Sequence, residues 1–327
     1  MPTLLVTSKM SPALAARVQA AVSGPHARGR PLKALLRFLT FTFVIVSAVG
    51  VVRFRQQRAQ KLETERAELL STLEQAGKSL NRGDRELPAR VATAIALHST
   101  PSYPGDQLPE VPLRDADLTE LLALPTLYMR GPLDALARPD RLTEVAAGSS
   151  KDAFLLCLLA PPEARTEKAL RLKASAAAAQ SKGTLQASAH VERLAPLLQA
   201  LPLLGRDWAE RIRSAETSEA LEKLAKLVAA APLTAAVRAA KARQMLLVLD
   251  ETAAATGPTE LDGERAHPVR VVLVDLPGGE SRLRFRGKVD PAWLSDQARA
   301  AYASGIDSCA LALDFRRAVG GGDRAKP

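Results

Sequence analysis

The chain has 327 residues and a formal net charge of +10, from 45 lysines and arginines against 35 acidic residues. Six of the basic residues lie in residues 1–37, which contain no acid, so the rest has 39 basic and 35 acidic residues and a net charge of only +4. The basicity is thus concentrated beside an apolar run, and nucleic acid is not expected as a partner. Two cysteines are too few for a disulfide framework or a CxxC zinc site.

Residues 1–33 are predicted to be a basic tail. Ser11 before Pro12 is a typical helix start, because serine caps the helix and proline fits its first turn. Residues 11–22 could therefore form a short amphipathic helix at a lipid interface. A disordered tail is the other interpretation, since glycines and prolines follow this segment.

Residues 34–52 are predicted to be one transmembrane helix. The run FLTFTFVIVSAVGVV carries no charge, and a helix over 34–52 is about 28 Å long. This length suffices if the preceding arginine extends its guanidinium to the headgroups. A buried helix of a soluble protein should instead show a polar stripe. The residues assigned to the anchor and its ends are Arg37, Phe38, Phe41, Phe43, Val52 and Arg53.

An uncleaved signal-anchor is favoured over a cleaved signal peptide. Val46–Ala48 resembles a cleavage site, but the 37 residues before the apolar run are long for a signal peptide. Basic residues flank the run almost equally, four before it and five after it within about 20 residues, so the positive-inside rule nearly cancels. Because the acid-free tail favours the cytoplasm, we expect a single-pass protein of the cell membrane with its soluble domain outside the cytoplasm.

Residues 53–82 are predicted to be a helical stalk or a weak coiled coil. Two heptad series run through it, at Leu62, Leu69 and Ala76 and at Ala59, Arg66, Leu73 and Leu80. A parallel homodimer through residues 55–80 and a single helix packed on the domain are the two interpretations. Residues 83–113 are predicted to be a helix followed by a linker. The linker contains four prolines, so it can form neither a helix nor a central strand.

Residues 114–318 are predicted to be a soluble α/β domain, and residues 319–327 a flexible tail. The pattern indicates a mixed sheet of about six strands with an all-helical insertion over 163–243. The predicted strands are 126–130, 153–160, 244–250, 269–276, 282–288 and 308–315. Cys157 and Cys309 fall in two of these strands, where two buried thiols are favoured over a disulfide.

The loop between the third and fourth predicted strands is the place where a ligand site is most expected. It gathers oxygen and nitrogen ligands over 250–267, of which the candidates for a ligand or metal are Asp250, Glu251, Asp262 and His267. A solvated loop is the simpler interpretation, because the spacing is not that of a calcium-binding loop. No cofactor is expected.

The strand 282–288 has one basic face, formed by Arg282, Arg284 and Arg286. Charges of this kind protect a sheet edge from pairing with other chains, and they could also contact lipid phosphates or an acidic partner. No nucleophile, phosphate-binding or metalloprotease motif is present. We therefore expect a membrane-held, non-catalytic domain that binds an unidentified protein partner. The alternative is a membrane-tethered α/β enzyme that uses the acidic 250–267 loop.

Overall fold

The computed structural model describes residues 30–149, 153–180, 191–251 and 266–321, with Ala13, Ala16 and Arg17. It divides into two units, residues 1–65 and residues 66–327. The long helix α1 covers Arg30–Gly77, 48 residues, and so begins in the first unit and ends in the second.

The apolar part of α1 is fully exposed to solvent in the structure. From Phe38 to Val52 every residue is exposed, and the phenylalanines Phe38, Phe41 and Phe43 are 70%, 66% and 72% accessible. Within the described residues, α1 is the one helix long and apolar enough to cross a membrane. This confirms one apolar N-terminal helix before a mixed α/β domain. The predicted site residue Arg37 lies in α1, and Arg53 is exposed just past the apolar run.

The second unit is a five-stranded mixed sheet with helices on its faces. The strands are β1 (Thr126–Pro132), β2 (Val191–Arg193), β3 (Gln244–Asp250), β4 (His267–Asp275) and β5 (Ser281–Val289). Their order is β2-β1-β3-β4-β5; β2, β1 and β3 are parallel, whereas β4 is antiparallel to both β3 and β5.

The remaining helices of the second unit lie before, between and after these strands. They are α2 (Arg82–His98), α3 (Asp115–Ala123), α4 (Leu133–Leu136), α5 (Leu142–Gly148), α6 (Phe154–Leu159), α7 (Glu167–Gln180), α8 (Leu194–Ala200), α9 (Arg206–Arg213), α10 (Ser218–Ala230), α11 (Leu233–Ala239) and α12 (Asp296–Val319). Helix α2 begins at Arg82 because a capping box precedes it: the Asn81 side chain accepts from the backbone N–H of Asp84, and the Asp84 carboxylate accepts from the backbone N–H of Asn81.

Two of the six predicted strands are helices in the structure. The described sheet has five strands because it also contains β2, which was not predicted. AFLLCLLA forms α6, and SCALALDF is the C-terminal part of α12, which continues through Gly305. A short apolar run does not distinguish a strand from a buried helix, and leucine and alanine favour the helix. The predicted all-helical insertion is also wrong, since it contains the short parallel strand β2.

One face of the sheet carries the core that positions α12. Alternate residues of β3, β4 and β5 pack against α6, α7 and α12, and Phe285 meets Phe315 edge to face with 5.8 Å between ring centroids. A disulfide joins Cys157 of α6 to Cys309 of α12, with 5.2 Å between the Cα atoms, so the prediction of two separate thiols is wrong.

Within the second unit, the last turns of α1 and the residues just after it pack on the rest of the chain. Leu73 and Leu80 are buried, and the Arg66 guanidinium donates to the carbonyl of Ala215. Three positions of the predicted heptad seam therefore contact the chain's own domain. The homodimer through residues 55–80 stays a prediction. These contacts leave fewer positions of the seam for a second copy of the chain.

Candidate functional site

Polar side chains converge where β1 and β3 end and β4 begins. Arg130, Asp250 and His267 lie on the sheet face that packs against α12, because side chains alternate along a strand and Asp250 follows Leu246 and Val248 on that face. Helix α12 adds Ser308. We call these four residues the buried polar cluster.

The buried polar cluster is centred on the carboxylate of Asp250. Arg130 donates from Nη2 to Oδ1 at 2.9 Å and from Nε to Oδ2 at 3.2 Å. The Nε2 atom of His267 lies 3.1 Å from the same Oδ1, and Arg130 Nη1 donates to the hydroxyl of Ser308. The side chains of Arg130, Asp250 and His267 are only 8%, 10% and 1% exposed.

Burial alone would raise the pKa of Asp250, since removing water disfavours a carboxylate. The charge of Arg130 and the hydrogen bonds from His267 and Arg130 outweigh burial and hold the pKa below its ordinary value. Asp250 is therefore ionised at neutral pH, with Arg130 as its counter-ion.

This arrangement ties elements together. Ser308 of α12 accepts a hydrogen bond from the guanidinium of Arg130. No group of three or more histidines, cysteines and acids that could hold a metal occurs among the described residues. The predicted candidate Asp262 lies outside those residues. The buried polar cluster thus joins β1, β3, β4 and α12.

Glu251 follows Asp250 in sequence but belongs to another set of contacts. Its Oε1 accepts from Arg270 Nε at 2.8 Å and its Oε2 accepts from Arg286 at 2.6 Å. The structure therefore brings together only Asp250 and His267 of the predicted ligand candidates. Adjacent side chains of an extended chain point to opposite faces of the sheet, so the carboxylates of Asp250 and Glu251 have different partners.

Arg270 also fixes the proline-rich segment to the sheet. Its Nη1 donates to the carbonyls of Thr100 at 2.6 Å and Ser102 at 3.3 Å, and its Nη2 donates to Pro101 at 2.8 Å. The Tyr103 ring lies under two guanidiniums, at 5.3 Å from Arg270 and 5.6 Å from Arg286. We call residues 100–107 the strap.

The strap covers part of the free edge of β5. Gln107 forms an antiparallel bridge with Arg284, and the Asp106 side chain accepts the backbone N–H of Arg286 at 3.0 Å. Because prolines on either side cannot extend this pairing, the strap protects the edge without adding a full strand.

The predicted basic face is largely neutralised. Arg282 pairs with Asp275, and Arg286 pairs with Glu251. Arg284 donates from Nε to the carbonyl of Gly105 at 2.9 Å. All three arginines of this face therefore have local partners, and its role at the sheet edge stays a prediction.

A groove of about 440 Å³ lies between the strap and the sheet. Its principal lining residues are Leu97, His98, Tyr103, Gln107, Arg270 and Arg284. Burial, and then the charge of Arg284, lower the pKa of His98, so its imidazole is neutral at pH 7. Burial and the bond to Asp106 raise the pKa of the Tyr103 hydroxyl, which stays protonated. The groove thus offers hydrogen-bonding groups, two arginines and an exposed leucine.

Sequence reasoning missed Arg130, Ser308 and Arg270. Arg270 lies inside a predicted apolar strand, Arg130 ends one and Ser308 begins one, and a polar residue in such a run could have suggested a buried partner. The partners themselves lie 120 and 178 residues away for Arg130, too far for any local pattern to identify.

Comparison of this chain with protein-family models, curated proteins and solved structures gave no significant match.

Proposed function

We propose that this chain is a single-pass membrane protein that holds a non-catalytic binding domain on the non-cytoplasmic side of the cell membrane. The observation that carries the proposal is the uncharged stretch of α1 from Phe38 to Val52, which is exposed at every residue and belongs to a helix long and apolar enough to cross a membrane. A surface helix of a soluble protein would have one polar face, whereas a helix apolar all round requires lipid or a protein interior.

The disulfide supports the orientation. Cys157 and Cys309 are joined and fully buried, and such bonds persist in oxidising compartments outside the cytoplasm. The acid-free tail favours the same orientation, because it would remain in the cytoplasm. Both observations favour a domain that faces the periplasm, the lumen or the exterior.

The contacts of the candidate site favour binding over catalysis. Asp250 and His267, which an enzyme of the 250–267 loop would use, contact each other and Arg130 inside the protein. The groove beside the strap is open and mixed in character, as expected of a place where a protein partner docks.

The anchor and its orientation are tested together in sealed vesicles from cells that express the full chain. We expect the protein to resist extraction by alkaline carbonate, and its domain to be cleaved by protease only from the non-cytoplasmic side. We also expect its two thiols to react with a maleimide only after reduction. Release by carbonate would contradict the anchor, and reactive thiols with a cytoplasmic domain would contradict the orientation.

Binding through the groove is tested by photo-cross-linking. Leu97 lines the groove and is 58% exposed, so a photo-reactive amino acid there should cross-link a discrete partner in intact cells. Leu172 on α7 is 76% exposed and serves as the matched control.

A thermal-shift screen of the full chain with divalent metals and nucleotides tests the enzyme alternative. A ligand-induced shift that disappears in Asp250→Asn would favour that alternative.

A further inference from the structure

The charges of α1 are segregated along the helix. Directly after the apolar run come Arg53, Arg55, Arg58 and Lys61, with no acidic residue from 38 to 62. The acidic residues of the helix follow, at Glu63, Glu65, Glu68 and Glu74. A stalk that is merely solvated needs no such order, because mixed charges keep a helix soluble and support it through i,i+4 pairs. The four basic residues are called the collar below.

The collar covers more of the helix than one narrow face. At about 100° and 1.5 Å per residue, its four members spread over roughly 200° of the circumference and along about 12 Å of the axis. All four are exposed, and the Arg58 guanidinium stacks 4.3 Å above the Phe54 ring. Lys61 lies 3.6 Å from Glu65 in an exposed pair, which contributes little. A helix lying on a membrane has its charges on one polar face, whereas this wider spread lets a helix that crosses the headgroup layer contact lipids on more than one side.

The position of the collar fits that layer. When Val52 lies at the hydrocarbon boundary, the collar begins one residue beyond it. The polar region on each side of a bilayer is about 5–8 Å thick. Arginine and lysine side chains can extend several ångströms along the helix axis, so all four charges can reach lipid phosphates, and the acidic residues come after them.

Topology alone does not require the collar. Positive charge directs a flank to the cytoplasm, yet this flank has five basic residues within about 20 positions and the tail flank has four. If the domain lies outside the cytoplasm, the collar lies there too, although positive charge favours the cytoplasmic side. A role on the domain's own side of the membrane would explain why the charges are present.

We propose that the collar binds anionic phospholipid headgroups in the leaflet on the domain's side. Three of its members are arginines, which bind phosphate through two parallel hydrogen bonds. Among the described residues, Arg53, Arg55 and Arg58 have no acidic partner to compete with lipid. This inference rests on the proposed anchor but not on its orientation, because either leaflet can supply anionic lipid.

The test uses full-length protein in vesicles of phosphatidylcholine with spin-labelled phosphatidylglycerol or spin-labelled phosphatidylcholine at trace level. We expect the wild type to prefer the anionic label severalfold, since each basic residue at the surface is worth about fivefold in lipid association. R53Q/R55Q/R58Q/K61Q should lose most of this preference, and R53K/R55K/R58K should keep it. Raising the salt concentration should weaken it, because exposed charges are screened.

A matched variant controls for total charge. Arg82, Lys223, Lys226 and Lys288 are exposed on the domain, so R82Q/K223Q/K226Q/K288Q removes the same charge and should keep the wild-type preference. Equal preference for both lipids in the wild type overturns the proposal, as does a preference that survives loss of the collar or falls equally in the control. Carbonate extraction of the same proteins reports the anchor separately, so integrated protein without lipid preference refutes only the collar.

Discussion

Arg130 binds Asp250 through two parallel hydrogen bonds inside the domain, with both side chains at most 10% exposed. The pair joins the neighbouring strands β1 and β3, and His267 and Ser308 extend it to β4 and α12. A buried pair of this kind need not stabilise the protein relative to apolar residues, but removing one partner leaves an uncompensated charge.

Asp250→Asn should therefore destabilise the domain by about 3–5 kcal/mol, because Arg130 keeps its charge in a dry site. The measurement is the free energy of unfolding in urea at pH 7. Glu144→Gln is the control, since Glu144 forms a similar two-pronged pair with Arg141 but is 70% exposed. That change should cost less than about 1 kcal/mol. Equal losses in the two variants would show that burial does not control the cost.

Asp314→Asn should not destabilise the domain at pH 7. Burial raises the pKa of Asp314, and the opposing charges of Arg165 and Arg317 do not compensate for it. The folded state therefore disfavours the ionised form, and this cost disappears as the pH falls through the raised pKa toward 3.8. We expect the variant to be slightly more stable than the wild type at pH 7, with the difference shrinking at pH 4. A variant that is less stable at pH 7 would show that the ion pairs dominate.

His98→Gln should remove part of the pH dependence of stability. The pKa of His98 is lowered in the folded protein, so the unfolded chain takes up a proton first as the pH falls below 6.5. The wild type should lose stability between pH 7.5 and pH 5.5, and the variant should lose less. Urea unfolding at several pH values measures both slopes. Parallel slopes would mean that His98 titrates alike in both states.

Local patterns predicted strands at 126–130, 244–250, 269–276 and 282–288, and each corresponds to a strand of the described sheet. Strand β3 has the predicted bounds, 244–250, and β4 and β5 extend the predicted segments by one or two residues at most ends. Turn chemistry at Pro277 and Gly278 sets the hairpin of β4 and β5, and alternation sets its faces. These features depend on residues that are close in sequence, so local patterns are enough to predict them.

The rest depends on tertiary contacts. The run at 308–315 is compatible with strand or helix, and the helix forms where α12 covers the sheet and Cys309 meets Cys157. Asp250 and His267 could be selected as polar ends of strands, but their partner Arg130 required the parallel pairing of β1 with β3. The strap was predicted as a linker from its prolines, whereas its attachment depends on Arg270, 168 to 170 residues away.

Arg270→Lys should release the strap while leaving the sheet intact. A lysine ammonium cannot donate at once to Glu251 and to three carbonyls spread over residues 100–102, because it lacks the fork of the guanidinium. We expect amide hydrogen exchange of residues 102–108 to rise at least tenfold, with little change in β3. Arg282→Lys is the control, since Arg282 pairs only with Asp275 at the surface. Unchanged exchange in the strap would show that Gln107 and Asp106 hold it without Arg270.

The disulfide should contribute a large share of the stability of the domain. Cys157 and Cys309 are 152 residues apart, so the bond restricts the unfolded chain strongly, and removing such a bond typically costs about 2–5 kcal/mol. Both sulfurs are fully buried, which makes Cys157→Ala with Cys309→Ala the least disruptive replacement. We expect its free energy of unfolding to fall by that amount and to be insensitive to reductant. The wild type should fall to a similar value only when it is unfolded and refolded with reductant present. If the wild type is equally stable after unfolding and refolding with and without reductant, the bond between α6 and α12 is contradicted, and so is the support that it gives to a non-cytoplasmic domain.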